Sequence, residues 1–173
     1  FLGFDFTEND VYLSYVPLTH VYEQICHASA VIFGYRVGYG SENTMNLIKD
    51  IQYLKPTFIG SFPTFFNKVY EKIQDRVKNL QAPLGCMVNH AINSKMWYYH
   101  NHGLLNHWIY DPLILGQIKN VLGGRLRIMI SGGAPLYPEI KNYLTAVFSA
   151  PIFEAYGTTE SAGNLACTAY WER

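Results

Sequence analysis

Short apolar runs alternate with stretches of helical periodicity along this chain. Runs rich in β-forming residues predict five strands, at 11–18, 35–39, 57–61, 126–130 and 151–155. Between them, apolar residues recur every three or four positions, which predicts helices at 21–32, 47–54, 63–77, 112–121 and 138–148. Strands that alternate with helices pair in parallel. The pattern therefore predicts an α/β fold, with a mostly parallel sheet and flanking helices.

Residues 80–110 are less regular, and there the pattern predicts only pieces of helix. The stretch contains the cluster Trp97-Tyr98-Tyr99 and turns rich in asparagine and histidine. Large aromatic side chains at helical spacing usually pack in a core. We interpret this cluster as core packing rather than as a binding platform.

Composition narrows the class of protein. The chain has 173 residues, which suits one domain, and its 13 basic and 13 acidic residues balance. Balanced charge without a basic patch argues against nucleic-acid binding. Aromatic residues make up 16% of the chain, which favours apolar pockets. Because the chain begins at Phe1 and carries no linker or polar tail, we expect it to be a piece of a longer protein.

The three cysteines are widely spaced, at Cys26, Cys86 and Cys167. Such an odd set does not form a disulfide framework and fits a reducing compartment. A cysteine nucleophile needs a neighbouring base, and none of the three shows one in sequence. We interpret all three thiols as core or inert.

Small and polar residues follow three of the predicted strands, at 17–20, 131–135 and 156–161. Ligands of parallel α/β sheets bind at the carboxyl ends of the strands. We therefore predict that these three loops open into one crevice.

The loop Ser131-Gly132-Gly133-Ala134-Pro135 lies between a strand and a helix. Two glycines let the backbone bend sharply and approach a flat ligand, so exposed amides could bind the edge of a purine. The alternative is a tight turn without a ligand. Taken alone, this motif favours the turn.

The loop Tyr156-Gly157-Thr158-Thr159-Glu160 carries more chemistry. A tyrosine ring can stack on a base, hydroxyls can donate to a phosphate, and a carboxylate can hold Mg²⁺, which prefers oxygen ligands. The alternative is a polar turn that caps the next segment. The motif alone does not decide between the two.

Together these motifs resemble the adenylate-forming superfamily, which includes acyl-CoA synthetases, luciferases and peptide-synthetase adenylation domains. Residues 156–160 match its Y-G-x-T-E signature, and residues 132–135 match its G-A-A-P loop except that Gly133 replaces the first alanine. Residues 12–20 resemble the Y-L-S-x-L-P-L-A-H segment of the long-chain branch, with Glu23 at the acid that follows.

Two further stretches resemble the long-chain branch. Residues 60–73 are similar to the run G-V-P-R-V-(F/Y)-(N/D)-(K/R)-I-Y-x-K-I, although Ser61 replaces a valine and Thr64 stands where arginine is common. Residues 122–127 match its L-G-G-R-(V/L)-R lead-in. The resemblance covers nearly the whole chain and is weakest at 80–110. It implies that residues 1–173 are part of the adenylate-forming large domain.

The resemblance also implies roles for the nucleotide-binding residues. The adenine pocket would be formed by residues of both loops: Gly132, Gly133, Ala134, Pro135, Tyr156, Gly157 and Thr158. Thr159 would donate a hydrogen bond to the α-phosphate of ATP, and Glu160 would ligate Mg²⁺.

For the second substrate, the resemblance places His20 near the reacting carboxylate and the mouth of an acyl tunnel. It places Gly60 and Ser61 along the acyl pocket. The implied activity is that of a long-chain fatty acid–CoA ligase. A fatty acid and ATP form acyl-AMP, and the thiol of coenzyme A then forms the thioester. Thr159, Glu160 and His20 would be the catalytic residues.

The family's phosphate loop would precede residue 1, and its small C-terminal domain with the catalytic lysine would follow residue 173. We therefore expect this chain alone to be inactive. The resemblance allows peripheral membrane attachment through parts outside the chain. It also allows an intracellular location at the endoplasmic reticulum or peroxisome. The sequence itself shows neither, nor an oligomeric state.

Two other functions stay open on sequence grounds. The chain could be a catalytically silent nucleotide-binding or interaction module derived from this family, or a ligase for another carboxylic acid. A zinc site at His100, His102 and His107 is disfavoured, because no cysteine or acid completes a recognised spacing.

Overall fold

The structure is a computed structural model that describes residues 4–41 and 46–168. One sheet runs through it, with six strands: β1 (Val11–Ser14), β2 (Arg36–Tyr39), β3 (Phe58–Ser61), β4 (Ile128–Gly132), β5 (Ile152–Thr158) and β6 (Gly163–Cys167). Their order in the sheet is β2-β1-β3-β4-β5-β6. The first five strands are parallel and β6 is antiparallel to β5. The predicted fold class is confirmed.

Helices cover both faces of the sheet. They are α1 (Val21–Phe33), α2 (Leu47–Leu54), α3 (Pro63–Lys78), α4 (Leu84–His102), α5 (Gly116–Lys119) and α6 (Pro138–Phe148). Pro63 and Pro138 open α3 and α6, where the missing N–H of proline costs no helical hydrogen bond. Within the described ranges, none of the helices has both the length and the apolar character needed to span a membrane.

Alternate residues of each strand build two separate cores. Tyr12, Phe58, Ile128 and Phe153 point to the face covered by α1, where they pack around Cys26. Their neighbours in sequence point to the opposite face, where α2, α3, α4 and α6 cover them: Leu13, Ile59, Met129 and Ile152. This is the period-two alternation of a sheet buried on both sides.

The carboxyl end of the sheet differs from the prediction. Residues 156–158, predicted as a loop, belong to β5, because the unpredicted β6 folds back and pairs with them. Two glycines permit this close pairing, since a β-carbon on Gly157 would overlap the backbone of Gly163. Strand β1 ends at Ser14, four residues before its predicted end, while β4 extends to Gly132.

Residues 84–102, predicted only as helical pieces, form the 19-residue helix α4. The prediction that its aromatic cluster packs in the core is wrong for two of its members. Trp97 is 57% exposed and Tyr98 is 38% exposed. Apolar residues lie all around this helix, so its sequence shows no single stripe from which a buried face could be identified.

The helix predicted at 112–121 is divided into three segments. A π-helical turn at Asp111–Leu115 leads into α5, and a 3₁₀ turn at Asn120–Leu122 ends at Gly123 in the left-handed conformation. Asp111 is fixed by Lys95 of α4, whose buried ammonium donates to the carboxylate at 2.5 Å and to Ser149 Oγ at 2.6 Å. The cluster joins α4, this turn and the carboxyl end of α6.

Candidate active site

A cleft of about 240 Å³ opens at the carboxyl ends of the central strands. All three predicted loops contribute to it. The predicted site residues that line it are His20, Ser61, Gly132, Gly133, Gly157, Thr158 and Thr159. Those that do not line it are Gly60, Ala134, Pro135, Tyr156 and Glu160. The structure therefore brings together seven of the twelve, and the other five lie next to them in sequence.

The cleft continues from this polar mouth into an apolar interior that follows α1. Tyr22, Ile25 and Ser29 of that helix form one wall, and Phe6, Tyr35 and Phe153 are among the residues opposite. His20 and Ser29 are nine residues apart, which corresponds to roughly 13 Å along the helix axis. The mostly apolar lining, with polar groups at the mouth, suits a hydrocarbon chain that has one polar end.

Gly60 lies behind the wall of the cleft rather than on it. A β-carbon at this position would overlap the hydroxyl group of Tyr22. Burial raises the pKa of Tyr22 well above its ordinary value, so the hydroxyl stays neutral. The next residue, Ser61, does line the cleft, and its Oγ forms a hydrogen bond of 2.5 Å with the Tyr15 hydroxyl.

His20 caps the amino end of α1, which fixes its ring at the mouth of the cleft. Its Nδ1 accepts a hydrogen bond of 3.2 Å from the backbone N–H of Tyr22. In the neutral imidazole the proton is then on Nε2. The ring meets Phe62 edge to face, with 5.6 Å between centroids. The sequence reasoning missed Phe62, since an aromatic residue before a helix carries no functional signature.

The glycine loop turns at Gly133, whose φ is +86°. A β-carbon on Gly133 would lie 3.2 Å from the Phe62 ring. Glycine is therefore favoured here both by the positive φ and by the small space beside the ring. His20 and Gly133 therefore both lie beside the ring of Phe62. The narrow loop predicted at this position is present.

Glu154 of β5 fixes the far side of the same loop. Its Oε1 accepts a hydrogen bond of 3.1 Å from the Leu136 N–H, and its Oε2 accepts one of 3.0 Å from the Lys141 ammonium of α6. The sequence reasoning missed this residue. The feature of the sequence that could have identified Glu154 is a single carboxylate in an otherwise apolar predicted strand, two positions before Tyr156.

The Y-G-x-T-E segment ends in a tight turn with exposed side chains. Tyr156 is 66% exposed. Ser161 Oγ donates to the Thr158 carbonyl at 2.9 Å, and the Ser161 N–H donates to Thr158 Oγ1 at 3.3 Å. The pKa of Glu160 is lowered by its own backbone amide and by the Thr158 hydroxyl, so its carboxylate is ionised.

The oxygen donors of this turn suit Mg²⁺, which proteins usually hold with one or two carboxylates together with substrate phosphates. In residues 4–41 and 46–168 there is no group of three or more histidine, cysteine, aspartate or glutamate side chains that could hold a metal by itself. His102 and His107 instead contact aromatic rings of α4. Glu160 is therefore suited to hold Mg²⁺ together with the phosphates of a substrate, rather than together with other side chains of the described residues.

The three thiols lie in different surroundings. Cys26 is buried under α1, where burial raises its pKa to about 11. Cys86 and Cys167 are exposed and free, so of the two alternatives, core or inert, these two thiols are not core residues. Cys167 is at the rim of the cleft.

Behind the cleft, a buried carboxylate ties α1 to the sheet. Glu23 is fully buried, and one of its oxygens accepts a hydrogen bond of 2.9 Å from the Tyr12 hydroxyl of β1. The other oxygen lies 3.6 Å from His27 Nδ1, one turn along the helix. These contacts fix the helix that forms the wall of the cleft.

A parallel sheet with a glycine turn and clustered hydroxyl groups at the carboxyl ends of its strands is the arrangement of nucleotide-binding α/β proteins. The comparison with known families agrees with this class. Residues 2–173 match the model of the AMP-binding enzyme family. The chain belongs to that family.

Its relatives include long-chain acyl-CoA synthetases. The chain is 38% identical over 157 residues to the peroxisomal long chain acyl-CoA synthetase 6 of Arabidopsis thaliana, covering 91% of this chain and 22% of the relative. It is 33% identical over 163 residues to long-chain-fatty-acid–CoA ligase 5 of Mus musculus, covering 94% and 23%. The chain thus spans less than a quarter of the length of these curated relatives.

Solved structures share the fold at lower identity. The adenylation domain of a carboxylate reductase from Mycobacterium chelonae superposes with a TM-score of 0.67 at 20% identity, covering 91% of this chain and 22% of that one. The A domain of a carboxylic acid reductase from Segniliparus rugosus, in complex with AMP and a co-purified carboxylic acid, gives 0.61 at 19%, with the same coverage. At these identities the likeness establishes the fold.

Proposed function

We propose that this chain supplies part of the adenylation site of a long-chain fatty acid–CoA ligase. Such an enzyme forms acyl-AMP from a fatty acid and ATP, and then forms acyl-CoA from acyl-AMP and coenzyme A. One observation carries the proposal. A single cleft joins a mouth of glycines and hydroxyl groups to an apolar interior along α1. A carboxylic acid with a long apolar tail matches both parts.

The nucleotide would lie across the mouth of the cleft. Residues 132–135, with Tyr156, Gly157 and Thr158, would hold the adenine, and Thr159 would donate to the α-phosphate. Glu160 would hold Mg²⁺, which supplies positive charge at the phosphates when bound. The ionised state of Glu160 and the open turn at Gly133 support these roles.

The fatty acid would enter with its carboxylate at His20 and its chain beside α1. His20 is held by its cap contact and by Phe62, so it would orient the carboxylate at the mouth. Ser61 would line the path of the chain, with Gly60 behind it. Among the relatives is one named as peroxisomal, which supports an intracellular location. Peripheral attachment to a membrane is part of the same proposal.

The test is fatty-acid-dependent exchange of pyrophosphate into ATP, measured on the full-length gene product, followed by thioester formation with coenzyme A. We expect exchange with palmitate. Binding of AMP without exchange for any acid would instead identify a silent nucleotide-binding module. Exchange with aromatic acids but not with palmitate would identify a ligase for another acid.

A pair of variants tests the path of the acyl chain. Ser29→Leu adds bulk to the interior end of the cleft, so the KM for palmitate should rise while that for a shorter acid changes little. Ala28→Leu makes a similar change on the exposed side of α1 and should alter neither. Equal effects on both acids would mean that the chain does not run along this helix.

A further inference from the structure

The floor of the cleft is built from two pairs of residues that lie side by side on β4 and β5. The pair nearer the mouth is Gly132 with Ala155, which we call the outer rung. The next pair on the same face is Ile130 with Phe153, which we call the inner rung. Small side chains therefore leave room just below the mouth, and large side chains reduce that room one rung further in.

Tyr22 of α1 adds a third large side chain at the level of the inner rung. Gly60 of β3 pairs with Ile130, so Gly60 lies at this level. A β-carbon on Gly60 would overlap the hydroxyl group of Tyr22 and the ring carbon that carries it. Tyr22 thus fills the space above Gly60, and it also lines the cleft. The cleft is therefore constricted where Tyr22, Ile130 and Phe153 meet.

A second contact of α1 closes the cleft on the side of β6. A β-carbon on Gly163 of β6 would overlap the side chain of Ile25, so the helix and this strand touch there. In the sheet, β4 and β5 lie between β3 and β6. The contacts at Gly60 and Gly163 therefore hold α1 on both sides of the floor. Because interiors packed in this way deform little, the width of the constriction is set by its side chains.

The constriction lies a short distance from the mouth. Successive residues on one face of a strand are two positions apart, which is roughly 6.6 Å. An extended chain covers that distance in about six bonds. If the carboxylate is held at His20 and carbon 2 lies over the outer rung, the inner rung is reached at about carbon 8 of a fatty acid.

We propose that Tyr22 determines specificity at this constriction, so that the site accepts an acid branched beside its carboxylate and excludes one branched at the inner rung. The proposal rests on the proposed function for the carboxylate at His20 and the chain beside α1. A straight methylene chain passes between Tyr22, Ile130 and Phe153. A methyl branch at that level overlaps one of these side chains, whereas a branch over the outer rung has the space left by Gly132.

The test compares the affinity of the full-length gene product for three acids: hexadecanoate, 2-methylhexadecanoate and 8-methylhexadecanoate. Their Kd values are measured by titration calorimetry. We expect the first two acids to bind similarly. The third should bind at least about tenfold more weakly, because one carbon too many in a closed apolar site costs at least that much.

Two variants widen the inner rung from different sides. Tyr22→Leu removes the ring from α1, and Ile130→Val removes one carbon from the floor. Both should bring the Kd for 8-methylhexadecanoate towards that for hexadecanoate and leave the ratio for 2-methylhexadecanoate unchanged. The smaller replacement, Ile130→Val, decides the question if Tyr22→Leu does not fold.

Two controls keep the constriction intact. Tyr22→Phe retains the ring and should discriminate like the wild type. Ile32→Val makes the same replacement as Ile130→Val at a residue of α1 that is 75% exposed and does not line the cleft, so it should also behave like the wild type.

Equal Kd values of the wild type for hexadecanoate and 8-methylhexadecanoate would overturn the proposal. Undiminished discrimination in Ile130→Val and folded Tyr22→Leu, or its loss in Tyr22→Phe, would do the same. Pyrophosphate exchange with hexadecanoate separates this inference from the proposed function. Discrimination in binding without exchange for any acid would refute the ligase proposal and support the constriction, while no binding of any of the three acids would overturn both.

Discussion

Replacing Glu154 tests whether the glycine loop is a nucleotide site whose shape depends on β5. The carboxylate holds the loop through the Leu136 N–H and is itself held by Lys141. In Glu154→Ala the Leu136 N–H loses its acceptor, and the loop is no longer held in place. Part of the free energy of AMP binding is then spent on ordering the loop. We expect the Kd for AMP to rise.

The magnitude follows from the exposure of the pair. A hydrogen bond to a buried charged group contributes about 1.5–3 kcal/mol. The Glu154 side chain is 31% exposed, so water replaces part of the lost contact. We expect about 1–1.4 kcal/mol, which is about five- to tenfold in Kd. Glu154→Gln keeps an acceptor for Leu136 and loses only the ion pair with Lys141, a partly exposed contact that contributes about 0.2–1 kcal/mol.

The assay is titration calorimetry of AMP with the full-length gene product, and Lys141→Met serves as the matched variant. The Kd for AMP should be similar in Glu154→Gln and Lys141→Met and close to that of the wild type, while the Kd of Glu154→Ala should be clearly higher. Unchanged AMP affinity in Glu154→Ala would refute the assigned role of the loop. A large fall in the melting temperature with unchanged affinity would mean that Glu154 only supports the fold.

Four further outcomes follow from the described geometry. Gly157→Ala should lower the free energy of unfolding by about 1–3 kcal/mol in denaturant titration, because its methyl group would overlap the Gly163 backbone. Gly133→Ala should lose about 1–2 kcal/mol of stability through its positive φ, while Gly133→Leu should also raise the KM for ATP more than that for fatty acid. Glu160→Gln should reduce pyrophosphate exchange on the order of a hundredfold, with an unchanged melting temperature because the side chain is exposed. Burial lowers the pKa of Lys95 from 10.5 to about 8, so at this group the unfolded chain binds more protons between these values; the unfolding free energy of the wild type relative to that of Lys95→Met should therefore rise with pH across this range.

The sequence was sufficient to predict the five parallel strands, most of the helices and the meeting of three loops. Parallel strands produce a regular pattern of apolar residues in the sequence, because each buried strand is followed by an amphipathic helix. The residues at their carboxyl ends must then share one edge of the sheet. Gly133 and Thr158 could be assigned to one crevice on this basis alone, and both line the cleft.

Contacts between distant elements could not be predicted in the same way. Residues 156–158 contain a glycine and two polar groups, which favours a loop, and their strand conformation depends on pairing with β6. Glu154 gains its role from Leu136, 18 positions earlier in the chain. Helix α4 shows no single apolar stripe, because its outer face also carries large apolar residues such as Trp97.

The contact between Tyr22 and Gly60 links the identity of two positions that are far apart in sequence. A methyl group at position 60 occupies the space of the Tyr22 hydroxyl, so Gly60→Ala requires a smaller partner. Tyr22→Phe removes the oxygen and Tyr22→Leu removes the ring. In a double-mutant cycle the loss from Gly60→Ala should therefore shrink in either background. Among natural sequences with this fold, a larger residue at position 60 should occur together with a smaller one at position 22.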